Sequence, residues 1–230
     1  LLRNLGGNGF SNVISAAIDH SAPGSNSART DAVAWGDIDQ NGLLDLYIGV
    51  YPTSATPDLT DPDNLDRIVL QTAPGQWLNI TAGYTGADRE KLGRTALAAV
   101  FSDFDGDGRV DLYVINDKQQ GNTLWRNQGA GCAGWCLGDV AEASGAGQIP
   151  YGMGIAVADI DRDGDSDLWF SSIDEQFFLR GLSRTPLLWQ HEPASALNHY
   201  GVGWGTIFAD FDNDGWQDGF LAVGAGGVST

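Results

Sequence analysis

The chain has 230 residues and a formal net charge of −18, from 30 acidic side chains against 12 basic ones. That charge excludes nucleic acid and anionic membrane surfaces as partners through repulsion. A hydrophobic content of 42% with 8 Trp and 9 Phe excludes a disordered acidic tail, and no apolar run approaches the roughly 18 residues of a membrane helix, so no membrane insertion is expected.

The chain opens on Leu-Leu-Arg-Asn, with neither an initiator Met nor a signal pattern, as expected of an excerpt from a longer protein. Leu2-Arg-Asn-Leu-Gly-Gly-Asn-Gly-Phe10 reads as strand, glycine turn, strand, and residues 1–28 are predicted to be the outer hairpin of a preceding unit. A first repeat, 29–94, follows. It contains an apolar run (Ala32 to Trp35), the acidic segment Asp37-Ile-Asp-Gln-Asn-Gly-Leu-Leu-Asp45 and an alternating run (Leu46 to Val50). A polar insertion (Tyr51 to Arg67) and a hairpin from Leu70 complete it. A second repeat, 95–149, has Leu97 to Phe101, Asp103-Phe-Asp-Gly-Asp-Gly-Arg-Val-Asp111, Leu112 to Ile115 and a hairpin from Trp125. Cys132 and Cys136 fall in the turn of that hairpin, where a local disulfide is expected on export. The third repeat, 150–199, has Ile155 to Val157, Asp159-Ile-Asp-Arg-Asp-Gly-Asp-Ser-Asp167 and a degraded hairpin after Leu179. A partial fourth, 200–230, has Thr206 to Phe208 and Asp210-Phe-Asp-Asn-Asp-Gly-Trp-Gln-Asp218.

The acidic segments start 66, 56 and 51 residues apart, and the hairpins 68, 55 and 54 apart. Two features with one spacing define one structural unit. Its runs are too short and too rich in β-branched and aromatic residues for helices, so each unit is predicted to hold four strands. Four-stranded units repeated radially make a β-propeller, which sets the predicted fold class: all-β, about four blades, a segment of a larger ring. Small residues just before each loop (Gly36, Ser102, Ala158, Ala209) suit innermost strands that crowd an axis.

Asp holds positions 1, 3 and 9 of all four loops, and Gly holds position 6. Side chains at positions 1, 3 and 5 curl toward one point, the Gly turn aims the carbonyl of position 7 inward, and Asp at 9 closes the site. The predicted ligands are therefore Asp37, Asp39, Asn41, Leu43 and Asp45; Asp103, Asp105, Asp107, Arg109 and Asp111; Asp159, Asp161, Asp163, Asp165 and Asp167; and Asp210, Asp212, Asp214, Trp216 and Asp218. Calcium prefers about six to eight hard oxygens in flexible geometry, which this donor set supplies. Two carboxylates at about 4 Å repel by about 4 kcal/mol at an effective dielectric of 20, a cost that a bound ion removes. A helical EF-hand loop is excluded because its position-12 chelator is replaced by Ile48, Val114, Phe170 and Leu221.

The loops and their flanks resemble the FG-GAP or VCBS repeats of calcium-binding propellers such as integrin α-chains. The stretches from Gly152 to Leu168 and from Gly203 to Asp218, with the Leu-x-Arg-Asn hairpins, resemble the ASPIC/UnbV group, relatives of cartilage acidic protein. Gly219, where Leu is usual, the hairpin after Leu179 and the cysteine insertion depart from that pattern. The resemblance implies an extracellular, cell-surface or periplasmic propeller of about seven blades, with up to four Ca2+ along this chain and a protein or glycan partner at a propeller face. No catalytic constellation is recognised. His20, His191 and His199 lack a nucleophile context, and the acids outside the loops (Asp58, Asp61, Asp63, Asp66, Asp88, Glu90, Asp174, Glu175, Glu192) form no recognisable pair. Gly129 to Gly134 matches a dinucleotide-binding glycine pattern but lacks the following helix and is read as a turn. Trp77, Trp135, Trp189 and Trp216 are the candidates for sugar stacking in the alternative reading, a polysaccharide-binding or polysaccharide-degrading protein.

Overall fold

A computed structural model describes residues 1–7, 9–13, 18, 29–52, 54, 56–84, 86–130, 135–173, 175–193, 195–197 and 201–224. The expected strands form where the apolar runs lie. Sheet one is β3 (Arg29–Gly36), β4 (Asp45–Tyr51), β5 (Arg67–Ala73) and β6 (Gln76–Asn79), paired antiparallel in chain order. Sheet two is β7 (Ala96–Ser102), β8 (Asp111–Asn116), β9 (Thr123–Ala130) and β10 (Trp135–Asp139). Sheet three is β11 (Ile155–Ala158), β12 (Asp167–Phe170), β13 (Phe177–Arg184) and β14 (Leu187–His191). Two further sheets have two strands each: β1 (Leu2–Asn4) with β2 (Phe10–Asn12), and β15 (Val202–Ala209) with β16 (Asp218–Gly224). The hairpin after Leu179 forms in full despite its departure from the pattern.

The first strands lie side by side, with β7 next to β3, β11 next to β7, and β15 next to β11. Each sheet therefore lays one face against the next. Between sheets one and two, Ala34, Ile38, Tyr47, Ile68 and Leu70 meet Leu112, Val114, Trp125 and Leu137. Between sheets two and three, Phe104, Tyr113 and Ile115 meet Leu168, Phe170, Leu179 and Trp189. No closed sheet is found among the described residues.

Close approach of the first strands explains the glycine before the first loop. A Cβ on Gly36 would stand 2.7 Å from Cγ of Phe101 on β7. Gly36→Val is expected to destabilise the chain by about 1 to 3 kcal/mol through overpacking, read as a lower urea midpoint at unchanged slope.

The polar stretch after β4 is less detached than its composition implies. Leu65 is buried with Leu59 packed against the same core, and the short helix α1 (Gly86–Lys91), which the strand pattern did not anticipate, leads into buried Leu92. Arg89 ties the two segments by donating to the carbonyl of Leu59.

Candidate metal centres

Each acidic segment joins the first two strands of its unit, and all four are wired alike. In loop two, the N–H of Asp107 donates to Oδ1 of Asp103 at 3.0 Å and to Oδ1 of Asp105 at 3.2 Å. The N–H of Gly108 donates to Oδ2 of Asp103, and that of Arg109 to Oδ1 of Asp107. The N–H of Phe104 donates to Oδ2 of Asp111. The same five donations recur in loop one, loop three and loop four. Backbone conformation repeats too. Position 6 is left-handed in every loop (Gly42, Gly108, Gly164, Gly215), as is position 4 (Gln40, Gly106, Arg162, Asn213). Glycine at 6 satisfies that demand without a Cβ clash, whereas Gln40 and Arg162 adopt it at a small steric cost.

This wiring gathers three carboxylates per loop. Oxygens of Asp37, Asp39 and Asp45 lie within 4.8 Å of one another, as do those of Asp103, Asp105 and Asp111; Asp159, Asp161 and Asp167; and Asp210, Asp212 and Asp218. The fifth-position side chains Asn41, Asp107, Asp163 and Asp214 turn one oxygen to the N–H of position 7. Asn41 also directs its amide nitrogen to Oδ2 of Asp39, so loop one carries its own neutralising donor. At position 7, Leu43, Arg109, Asp165 and Trp216 supply those N–H groups.

Position 9 does more than close a site. Asp45, Asp111 and Asp167 are buried and reach the third strand of their sheets, where Gln71, Asn127 and Gly181 donate N–H bonds of 2.7 to 2.8 Å. One carboxylate thus pins the loop to two strands. Burial raises the pKa of Asp45 and Asp167, and it pushes Asp111 up to about 7 against the lowering effect of its backbone bonds. Burial thus opposes charge on all three carboxylates, a cost that a cation held in the loop would offset.

Arginines take part in loops two and three. Arg126 on β9 meets Asp105 at 2.6 Å, and Arg180 on β13 pairs with both Asp161 and Glu192. Arg109 pairs with Asp107, and Arg184 lies 3.5 Å from Asp165. The loops also touch in series: Gln40 donates to the carbonyl of Gly108, and the Arg162 guanidinium lies 3.9 Å above the Trp216 ring.

Other predicted residues fall outside this chemistry. Trp189 is buried edge-on to Phe104 and belongs to the core. Trp77 stands 6.2 Å from Trp35, and Trp216 is half-exposed beneath Arg162. His191 stacks on Phe177. Asp66 is buried, accepting the Tyr47 hydroxyl and the Val50 N–H. Cys136 is disulfide-bonded. Cys132, His20, His199, Asp174 and the Trp135 side chain lie outside what is described.

Residues 103–170, from the first aspartate of loop two to the end of β12, match the family model of an FG-GAP-like repeat. A comparison with curated proteins finds none that matches the chain.

Proposed function

We propose that this FG-GAP-repeat chain is a calcium-binding β-propeller segment that works outside the cytoplasm as a structural, adhesion or recognition module. The observation that carries the reading is the identical wiring of four loops, each converging three carboxylates on one point between adjacent strands. The donors are all hard oxygens, and several carboxylates already accept backbone N–H bonds, which fixes their positions before an ion arrives. Calcium fits such a set better than magnesium, which demands near-ideal octahedral geometry and keeps its waters. The residues that would hold the ion are positions 1, 3 and 9 of each loop, joined by the oxygen of position 5 and the carbonyl of position 7. Bound calcium would supply charge neutralisation at the bend between the first two strands. The disulfide at Cys136 supports an oxidising compartment. The reading is non-enzymatic, because the close-set carboxylates are committed to backbone donors and, with calcium, to the ion.

Extracellular calcium modules bind at about 0.1 to 1 mM, so about 1 mM ion adds roughly 0.4 to 1.4 kcal/mol per site. Thermal melting in calcium is expected to exceed melting in chelator by several degrees, with magnesium giving a smaller shift. Asp161→Ala, in the exposed part of loop three, is expected to reduce that shift while leaving the melt in chelator nearly unchanged. Equal melts in calcium and chelator would remove the proposal.

A further inference from the structure

Successive acidic loops touch at corresponding positions. Gln40, at position 4 of loop one, donates from Nε2 to the carbonyl of Gly108, at position 6 of loop two, at 2.8 Å. Arg162, at position 4 of loop three, lies against positions 6 and 7 of loop four. A Cβ on Gly215 would stand 3.2 Å from its Nη2, and its guanidinium covers the Trp216 ring. We infer that position 4 of one loop positions the metal site of the next, so that Gln40 and Arg162 serve calcium sites to which they contribute no ligand. This rests on the calcium reading and names the residues that set those sites from outside.

The middle boundary reaches the same arrangement by another route. Position 4 of loop two is Gly106, which has no side chain to extend. Arg184, from β13, fills the space beside it, where a Cβ on Gly106 would stand 3.2 Å from Nη1. From there Arg184 donates to the carbonyl of Gly164, at position 6 of loop three. All three boundaries thus place a side-chain nitrogen beside position 6 of the following loop.

The peptide between positions 6 and 7 is the one that bears on an ion. Its N–H end is already fixed, because the amides of Arg109, Asp165 and Trp216 donate to the position-5 carboxylates at 2.8 to 2.9 Å. In loops two and three a side-chain donor holds the carbonyl end of the same peptide. The orientation of this peptide governs where the next carbonyl, the proposed position-7 ligand, points. Ordering it before calcium arrives removes part of the entropy cost of binding.

The backbone shows that Gln40 and Arg162 are not there for conformational ease. Both are left-handed, with φ of 57° and 63°, where glycine is the unstrained choice and where Gly106 stands in loop two. Gln40 is exposed, so core packing does not account for it either. Strain of this kind persists where the side chain has a task.

An NMR titration with calcium chloride, followed at individual backbone amides, tests this on Gln40→Met, which keeps the stem and the charge but removes the donor. Gln40 is preferred to Arg162 because losing a positive charge would itself strengthen calcium binding. The Arg109 amide reports loop two, and the Leu43 amide reports loop one. In the variant the midpoint at Arg109 is expected at about two- to fivefold higher calcium, a fraction of the worth of one hydrogen bond. The midpoint at Leu43 is expected to stay in place. Gln40→Gly, which relieves the strained backbone, is expected to weaken loop two equally without lowering the melt in chelator. Midpoints that both stay in place, or a shift at Leu43 alone, would overturn the inference while leaving the calcium reading intact. A wild type in which no amide responds to calcium would remove that reading and the inference with it.

Discussion

Asp111→Ala is expected to lower the unfolding free energy by about 3 to 5 kcal/mol even with every divalent ion chelated. The carboxylate is fully buried and accepts the N–H groups of Phe104 and Asn127. Alanine leaves both donors unsatisfied beneath the core that Phe104 shares with Trp189. Asp105→Ala, six residues earlier in the same loop, is expected to cost about 1 kcal/mol or less in chelator: Asp105 is buried, but its removal also relieves repulsion with Asp103 and Asp111, and its Arg126 partner is partly exposed and turns to water. The two substitutions thus separate position 9, which clamps strands, from position 3, which the proposed calcium site would use. Urea unfolding of both variants with chelator measures the difference; equal losses would refute the division of labour.

A second large effect concerns Asp66. Burial pushes its pKa up to about 8, partly opposed by the bonds from Tyr47 and Val50. The folded chain therefore holds a proton that the unfolded chain releases at about pH 4. Stability from this group is fully present below the unfolded value and is lost as pH rises through the folded one. The slope is about 1 kcal/mol per pH unit across that window, with a few kcal/mol in total. Asp66→Asn keeps an acceptor for Val50 and carries no charge, so its stability is expected to lack this decline and to exceed that of the wild type near pH 8. Chelator in both samples removes the opposite pH dependence of ion binding. Parallel curves for the two proteins would contradict the assignment.

The strands and the four acid clusters were legible because their signals are local. Alternating apolar runs flank each loop, and the three converging aspartates lie within nine residues. The clamp made by position 9 was not legible, because its partners Gln71, Asn127 and Gly181 lie 26, 16 and 14 residues on and act through backbone N–H groups that any residue carries. The arginine partners left a trace, since Arg3, Arg126 and Arg180 recur at one place in the hairpin motif, but a motif without its register names no partner. The left-handed conformation at position 4 was hidden by Gln40 and Arg162, residue types that do not advertise it. Asp66 sits at the end of a polar stretch whose composition reads as exposed; burial there comes from Leu59, Leu65 and Leu92 folding back over sheet one.

Calorimetric titration of the metal-free chain with calcium tests the central claim most directly. Binding that saturates toward four ions per chain, and that falls by one ion on Asp161→Ala, is the predicted result. An absence of calcium binding at millimolar concentration would contradict it.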